Sequence, residues 1–223
     1  MSRSKSSPKR RPGQKKSAQK APRMTPRERR ERILDVAIRL AEEGGFENVR
    51  QRDVAAQAGV ALGTLYKDFR GKGAILSAAL GRETTHLESK LSSQPISGES
   101  ATERIGKLFT VLTSELCRKP NYARALVRAM ASGDAEIASN IVAYQVNVYA
   151  MIVSALRGDV TAASLKDATD ATESEMKLAL MLQQMWFAQL VGWSARLFSI
   201  DDITAQMEFA GEVLVAGMAA LTA

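Results

Sequence analysis

The chain has one cysteine and one histidine in 223 residues, Cys117 and His86. A single thiol excludes an internal disulfide framework, and with one His beside it there is no set of ligands for a zinc cluster. Catalysis by acid–base or nucleophilic chemistry needs convergent groups, and neither these two residues nor any Gly-rich phosphate loop supplies them. No enzyme, catalytic residue, cofactor or metal is therefore expected. His86 lies in the polar stretch Thr84-Thr85-His86-Leu87-Glu88, where an exposed helical position is the simplest reading. Strand signals are also scarce, because β-branched groups such as Val146-Asn147-Val148 sit inside longer helical patterns. No run is apolar for long enough to cross a bilayer, and no signal-peptide core follows the basic N-terminus. A reducing cytoplasm without membrane attachment is the expected setting.

Acid is missing altogether from residues 1–23, which hold nine Lys or Arg. The net charge of +7 is thus concentrated there, for the remaining 200 residues carry 22 bases against 24 acids, a net of −2. The Ser, Pro, Gly, Gln and Lys of this tail cannot build a core, and disorder is predicted. Such an arm can neutralise DNA phosphates without reading sequence, or it can be a solvated tail that aids solubility.

What is present is helical. Thr25-Pro26-Arg27-Glu28 reads as a capping box with Pro at the first helical position, and Ile33, Ala37, Leu40 and Ala41 recur at helical spacing until Gly44-Gly45. Gln51 to Phe69 then reads as two short helices joined by a turn at Ala58-Gly59-Val60. Val54, Ala55 and Ala58 face Val60, Leu65, Tyr66 and Phe69 across a shared seam, and Gly59 supplies the turn. In a helix-turn-helix the second helix enters the major groove by its N-terminus, which brings Ala61, Leu62, Gly63, Thr64 and Lys67 nearest the DNA.

These residues carry a resemblance. Val60 through Lys72, together with Val49 to Ala55 and Ile33 to Ala37, is similar to the pattern of the TetR family of transcriptional repressors over roughly residues 27 to 80. The resemblance implies that Thr64 and Tyr66 touch DNA, that Lys72 holds a phosphate, and that Arg52 reads a base, with Gln51 beside it. It departs from the family pattern at Asp68 and Gly73, and an acid at position 68 would repel phosphate.

The organisation predicted is all-α, with a tail at 1–23, a three-helix DNA-binding head at 24–73 and a larger helical body at 74–223 for ligand binding and dimerisation. Ala74 to Leu91 reads as a connecting helix. Further helices are expected near 102–118, 121–131, 135–157, 174–198 and 202–221, with the longest loop from Asp159 to Thr172. The last two carry apolar surface beyond one protomer's need, including Met181, Leu182, Met185, Leu190, Val191, Phe198, Phe209, Val213, Leu214 and Met218. The resemblance implies a homodimer through these helices, hence a near-palindromic double-stranded DNA operator.

Leu108, Leu112, Tyr122, Met130 and Met151, with Trp186, Leu190 and Trp193, are apolar candidates for a ligand lining, and Asn147 and Gln183 are its polar anchors. Residue by residue they equally suit an ordinary helical core; a cavity is what the resemblance implies. Three segments, 76–83, 118–129 and 184–193, further resemble the actinobacterial repressors of cholesterol catabolism. That subgroup implies release from DNA by a small hydrophobic effector, a steroid or fatty acyl coenzyme A thioester. A drug-like amphiphile would fit the same lining, and an architectural DNA binder using the basic tail is the other alternative.

Overall fold

The computed structural model describes residues 24–132, 135–165 and 167–222. The tail lies outside them. The described residues form nine α-helices and one short 3₁₀ turn, Asp167–Asp170, with a single isolated β-bridge between Ile96 and Val160. The all-α reading holds.

Helix α1 spans Pro26–Asn48 and opens on the predicted capping box, in which the Thr25 hydroxyl accepts from Glu28 N–H at 3.2 Å and the Glu28 carboxylate accepts from Thr25 N–H at 2.8 Å. It breaks where the glycines stand, at Gly45 with φ +70°, and then resumes for one more turn. Helices α2 (Gln51–Ala58) and α3 (Leu62–Asp68) follow, joined through Gly59 at φ +67°, ψ +35°. A side chain there would be strained, so glycine at this turn is a backbone requirement.

Helix α4 (Lys72–Ser93) leads into α5 (Ala101–Cys117), α6 (Pro120–Ala131), α7 (Ala135–Arg157), α8 (Glu173–Ser194) and α9 (Ile200–Thr222). Two buried clusters organise them. The head core gathers Ile33, Ala37, Val54, Ala58, Leu65 and Phe69 and runs on into Ile75, Leu76, Ala79 and Leu80 of α4 and Tyr122, Ala125 and Leu126 of α6. The body core centres on Phe109, Met151, Leu182, Trp186 and Met207. The head's packing thus extends past residue 73, because α1 lies against α6 as well as α4.

Helix α8 ends at Ser194, four residues before the predicted stop. Arg196 sits at φ +64°, its N–H bonds Trp193 O at 2.9 Å, and Leu197 N–H bonds Gly192 O at 2.9 Å. This is a Schellman closure with arginine where glycine is usual, so composition offered no stop signal. Phe198 folds back onto Gly192, where a Cβ would collide with its ring. Ser199 and Asp202 then cap α9 reciprocally, at 2.8 Å and 3.1 Å. The expected long loop after α7 is tied down rather than free. Val160 and Ile96 exchange backbone hydrogen bonds at 2.9 and 3.1 Å, and the Arg104 guanidinium donates to Ala155 O, Gly98 O and Leu156 O.

Helices α8 and α9 bury one face each and leave another uncovered. On α9, Ile203, Met207 and Ala210 point into the body, while Phe209 and Val213 are 65% and 53% exposed. On α8, Leu180, Met181 and Met185 are exposed, whereas Leu182 and Leu190, expected on the outer surface, are buried in the core. Leu214 and Met218 are half-buried against that same core. The period of the helix divides these positions between faces, and only their neighbours decide which face is inward. No helix among the described residues is long and apolar enough to cross a membrane.

Candidate DNA-reading head and ligand cavity

Helices α2 and α3 present a small polar surface on a rigid base. Arg52, Ala61, Gly63, Tyr66 and Lys67 are exposed, and Thr64 and Lys72 are half-buried. A Cβ at Gly63 would meet nothing within 4 Å, so its own fold does not demand glycine there. Two of the residues predicted to face DNA are engaged internally. Leu62 packs against the head core, and the Gln51 amide donates to Phe69 O at 3.3 Å, clasping the start of α2 to the end of α3. Asp68 pairs with Arg29 of α1 at 3.4 Å, and the Arg30 guanidinium lies 4.7 Å over the Phe69 ring. The acid that departs from the family pattern therefore anchors α3 to α1.

Lys72, at the start of α4, is held by protein groups in this state. Its ammonium lies 3.0 Å from the Glu47 carboxylate, 3.3 Å from Phe46 O and 3.9 Å over the Phe46 ring. Glu47 also meets Arg128 of α6 at 2.8 Å, and Lys72 and then Arg128 hold its carboxyl below the ordinary range. Arg82 of α4 reaches Glu31 and Asp35 of α1 at 3.0 and 2.8 Å. Most specific is Glu42, whose carboxylate accepts from Asn121 N–H and Tyr122 N–H, both at 3.0 Å. A carboxylate at the first N–H groups of α6 satisfies donors that the helix itself leaves open, and it favours the positive end of the helix dipole. The head is thus fastened to α6 at both of that helix's ends.

Two cavities lie behind this junction. The first, of about 290 Å³, opens between α6, α7 and α8 and is walled by Leu126, Val127, Met130, Val142, Val146, Leu180, Trp186, Phe187 and Leu190, with Gln145, Gln183 and Gln184 as polar groups. The second, of about 270 Å³, lies between α4, α5 and α7, with a floor of Leu112, Val148 and Met151 and a rim of Glu83, His86, Lys90, Glu115 and Arg118. Hydrogen bonds set the first cavity's walls. The Trp186 indole N–H donates to the Thr113 hydroxyl at 2.9 Å, and the Gln183 amide donates to Gln145 O at 3.1 Å.

Of the predicted lining, Met130, Gln183, Trp186 and Leu190 meet at the first cavity, and Leu112 and Met151 at the second. Leu108, Tyr122, Asn147 and Trp193 wall neither of these two cavities. Leu108 is fully buried in the body core and Tyr122 lies in the head core. Trp193 shares the α8 face of Trp186, but seven residues of helix carry it about 10 Å along the axis. There the Arg124 guanidinium covers its ring at 4.6 Å. The α7 wall, Val142, Val146 and Tyr149, was not singled out from the sequence. Its i, i+4, i+7 spacing was the available signal, masked by the equally apolar opposite face of α7.

Buried titratable groups stay neutral. Burial pushes the Cys117 thiol up to about 11 despite nearby Arg124, which removes it as a reactive thiolate. Desolvation likewise raises the phenols of buried Tyr122 and half-buried Tyr144 well above their usual range. Among the described residues no group of three or more His, Cys, Asp or Glu could hold a metal ion.

Comparison with known proteins agrees with this geometry. Residues 33–79 match the family model described as bacterial regulatory proteins, tetR family. Residues 98–214, more than half the chain, match tetracyclin repressor-like, C-terminal domain. Over 189 residues the chain is 33% identical to the HTH-type transcriptional repressor KstR of Rhodococcus jostii, spanning 85% of this chain and 84% of that protein. In three dimensions it is similar to a TetR transcriptional regulator from Rhodococcus sp. RHA1, with TM-score 0.68 and 24% identity over 84% of this chain and 96% of that one. It is also similar to FadR of Thermus thermophilus, a TetR family transcriptional repressor solved with lauroyl-CoA. That likeness has TM-score 0.62 and 21% identity, and covers 85% of this chain and 94% of that one. With a helix-turn-helix head, a helical body that holds cavities between its helices, and matches along both, this chain belongs to the TetR family of transcriptional repressors.

Proposed function

We propose that the protein is a dimeric repressor that holds a near-palindromic operator through two heads and releases it when a hydrophobic effector, a fatty acyl or steroid thioester of coenzyme A, enters the α6–α8 cavity. One observation carries this reading: Leu80 and Leu126 belong to the head core and also line the cavity. A ligand pressing on them presses on the packing that orients the head. It can release DNA only by binding better to a conformation whose heads are wrongly spaced. Half-sites one helical turn apart, about 34 to 36 Å, tolerate little swing of α4. A coupling of about 1 to 3 kcal/mol would change operator affinity roughly five- to a hundredfold. The likeness to a FadR solved with lauroyl-CoA supports the ligand class.

The test is titration of the operator complex with lauroyl-CoA, stearoyl-CoA and a sterol-derived CoA thioester, with free CoA as control. At least one thioester should dissociate the complex while quenching tryptophan fluorescence over the same concentrations. Because Trp186 lines the cavity and Trp193 does not, Trp186→Phe should remove the signal and Trp193→Phe should keep it. Release by free CoA alone would overturn the reading.

Within the head, Arg52 and Lys72 should behave differently. Arg52→Ala is expected to cost about 1 to 3 kcal/mol and relax base preference at one symmetric position of each half-site. Lys72→Ala should weaken all sequences alike and reduce the salt slope by about 0.9 for each phosphate that is no longer neutralised. Binding isotherms on cognate and scrambled DNA at several salt concentrations check both. An equal loss on both DNAs for Arg52→Ala would remove it as a base reader. The basic tail is proposed to neutralise further phosphates in the same sequence-blind way.

A further inference from the structure

The two cavities share three wall residues, Leu80, Leu116 and Tyr144. Each cavity alone lies just under the range of about 300 to 1,000 Å³ occupied by small-molecule pockets, whereas the two together fall well inside it. Their chemistry is unequal. Every charged residue in the two linings belongs to the α4–α5 rim of the second cavity, and the first is lined by apolar groups, amides and the tyrosines Tyr144 and Tyr149. Of the three shared residues, Leu80 is locked in the head core at 3% exposure. Tyr144 and Leu116 are half-buried and touch both cores. No hydrogen bond among the described residues fixes the Tyr144 hydroxyl, so turning its ring breaks none.

We propose that the effector site is one channel made of both cavities, with the Tyr144 ring as a movable partition. Its ligand is a long, slender amphiphile whose polar end stays at the Lys90 and Arg118 rim while its chain passes Tyr144 into the α6–α8 cavity. This rests on the reading of that cavity as an effector site and narrows the ligand class. Rotation of one aromatic side chain opens an aperture for a methylene chain. A fused-ring body would also have to displace Leu80 from the head core. The polar end settles among the ion pairs Lys90–Glu115 and Arg118–Glu83, 2.6 and 3.4 Å long, whose exposed cations can exchange a half-buried carboxylate for an anionic ligand group. Because Tyr144 touches both cores, its displacement disturbs the head and the body together.

Calorimetric binding of octanoyl-, lauroyl- and stearoyl-CoA to the full chain tests this. In the wild type, affinity should rise with each lengthening, by up to about fourfold per buried methylene. Leu87→Trp, which fills the second cavity from half-buried α4, should weaken all three ligands at least tenfold. Met130→Trp, which fills part of the first cavity, should spare octanoyl-CoA and erase the gain from lauroyl to stearoyl. Tyr144→Trp should mimic Met130→Trp, and the two half-buried sites carry the test if it misfolds. If Leu87→Trp leaves stearoyl-CoA affinity unchanged while Met130→Trp lowers all three, the ligand is confined to the first cavity and the channel is wrong. If the predicted pattern appears but no thioester releases the operator, the channel stands and the effector reading falls. If no thioester binds the wild type, both fall.

Discussion

Replacing Phe209 and Val213 by glutamate is expected to give a folded monomer whose operator affinity is lower by about a thousandfold or more. Both side chains lie on the outer face of α9, 65% and 53% exposed, while the inner face of Ile203, Met207 and Ala210 is untouched by the change. Burying a Phe or Val side chain stabilises by about 1.5 to 3 kcal/mol. A twofold interface loses each contribution twice, and it would also have to bury four unpaired carboxylates. One head on one half-site binds mainly through phosphates, and specific sites exceed such binding by about 10³ to 10⁷. Sedimentation equilibrium, circular dichroism and operator titration check the three parts of the expectation. A variant that still sediments as a dimer would move the interface away from α9, and a monomer with full operator affinity would remove the need for pairing.

Met130→Trp is expected to produce a repressor that stays on its operator at effector concentrations that empty the wild type. Met130 is half-buried at the end of α6, so the indole can grow into the cavity without forcing a sealed core apart. Excluding about 100 Å² of apolar ligand surface removes roughly 2.5 kcal/mol, close to a hundredfold in effector affinity. Operator binding should survive, since Glu42, Lys72 and the α2–α3 surface are unchanged. Titration of the operator complex with stearoyl-CoA measures the shift. A variant released at the wild-type concentration would place the effector elsewhere in the body.

Several parts of this molecule were legible in the sequence because they depend on neighbours along the chain. Thr25, Pro26 and Glu28 announce the start of α1 through a capping geometry completed within four residues, and Gly45 and Gly59 mark backbone turns that few other residues adopt. The helix-turn-helix was readable for the same reason, its buried seam and its turn both falling inside Gln51 to Phe69. The end of α8 was not readable. Its Schellman closure is built on Arg196, a residue with no preference for a left-handed backbone, and is held by the ring of Phe198 against Gly192.

The sequence by itself determined the helical class, the DNA-reading element and the order of head and body, because period, punctuation and residue type decide these locally. Tertiary structure alone decided which apolar residues enclose space and which fill it. Trp186 and Trp193 have the same spacing to the eye, yet one walls a cavity and the other lies beneath Arg124, since the helices packed against α8 change along its length. Coupling also belongs to the folded state: Glu42 meets the first N–H groups of α6 across 79 residues of chain, and Leu80 and Leu126 gain their double role only where the head core and the cavity share a wall. Nothing in a linear pattern specifies such pairings, because they are set by how whole helix faces settle against one another.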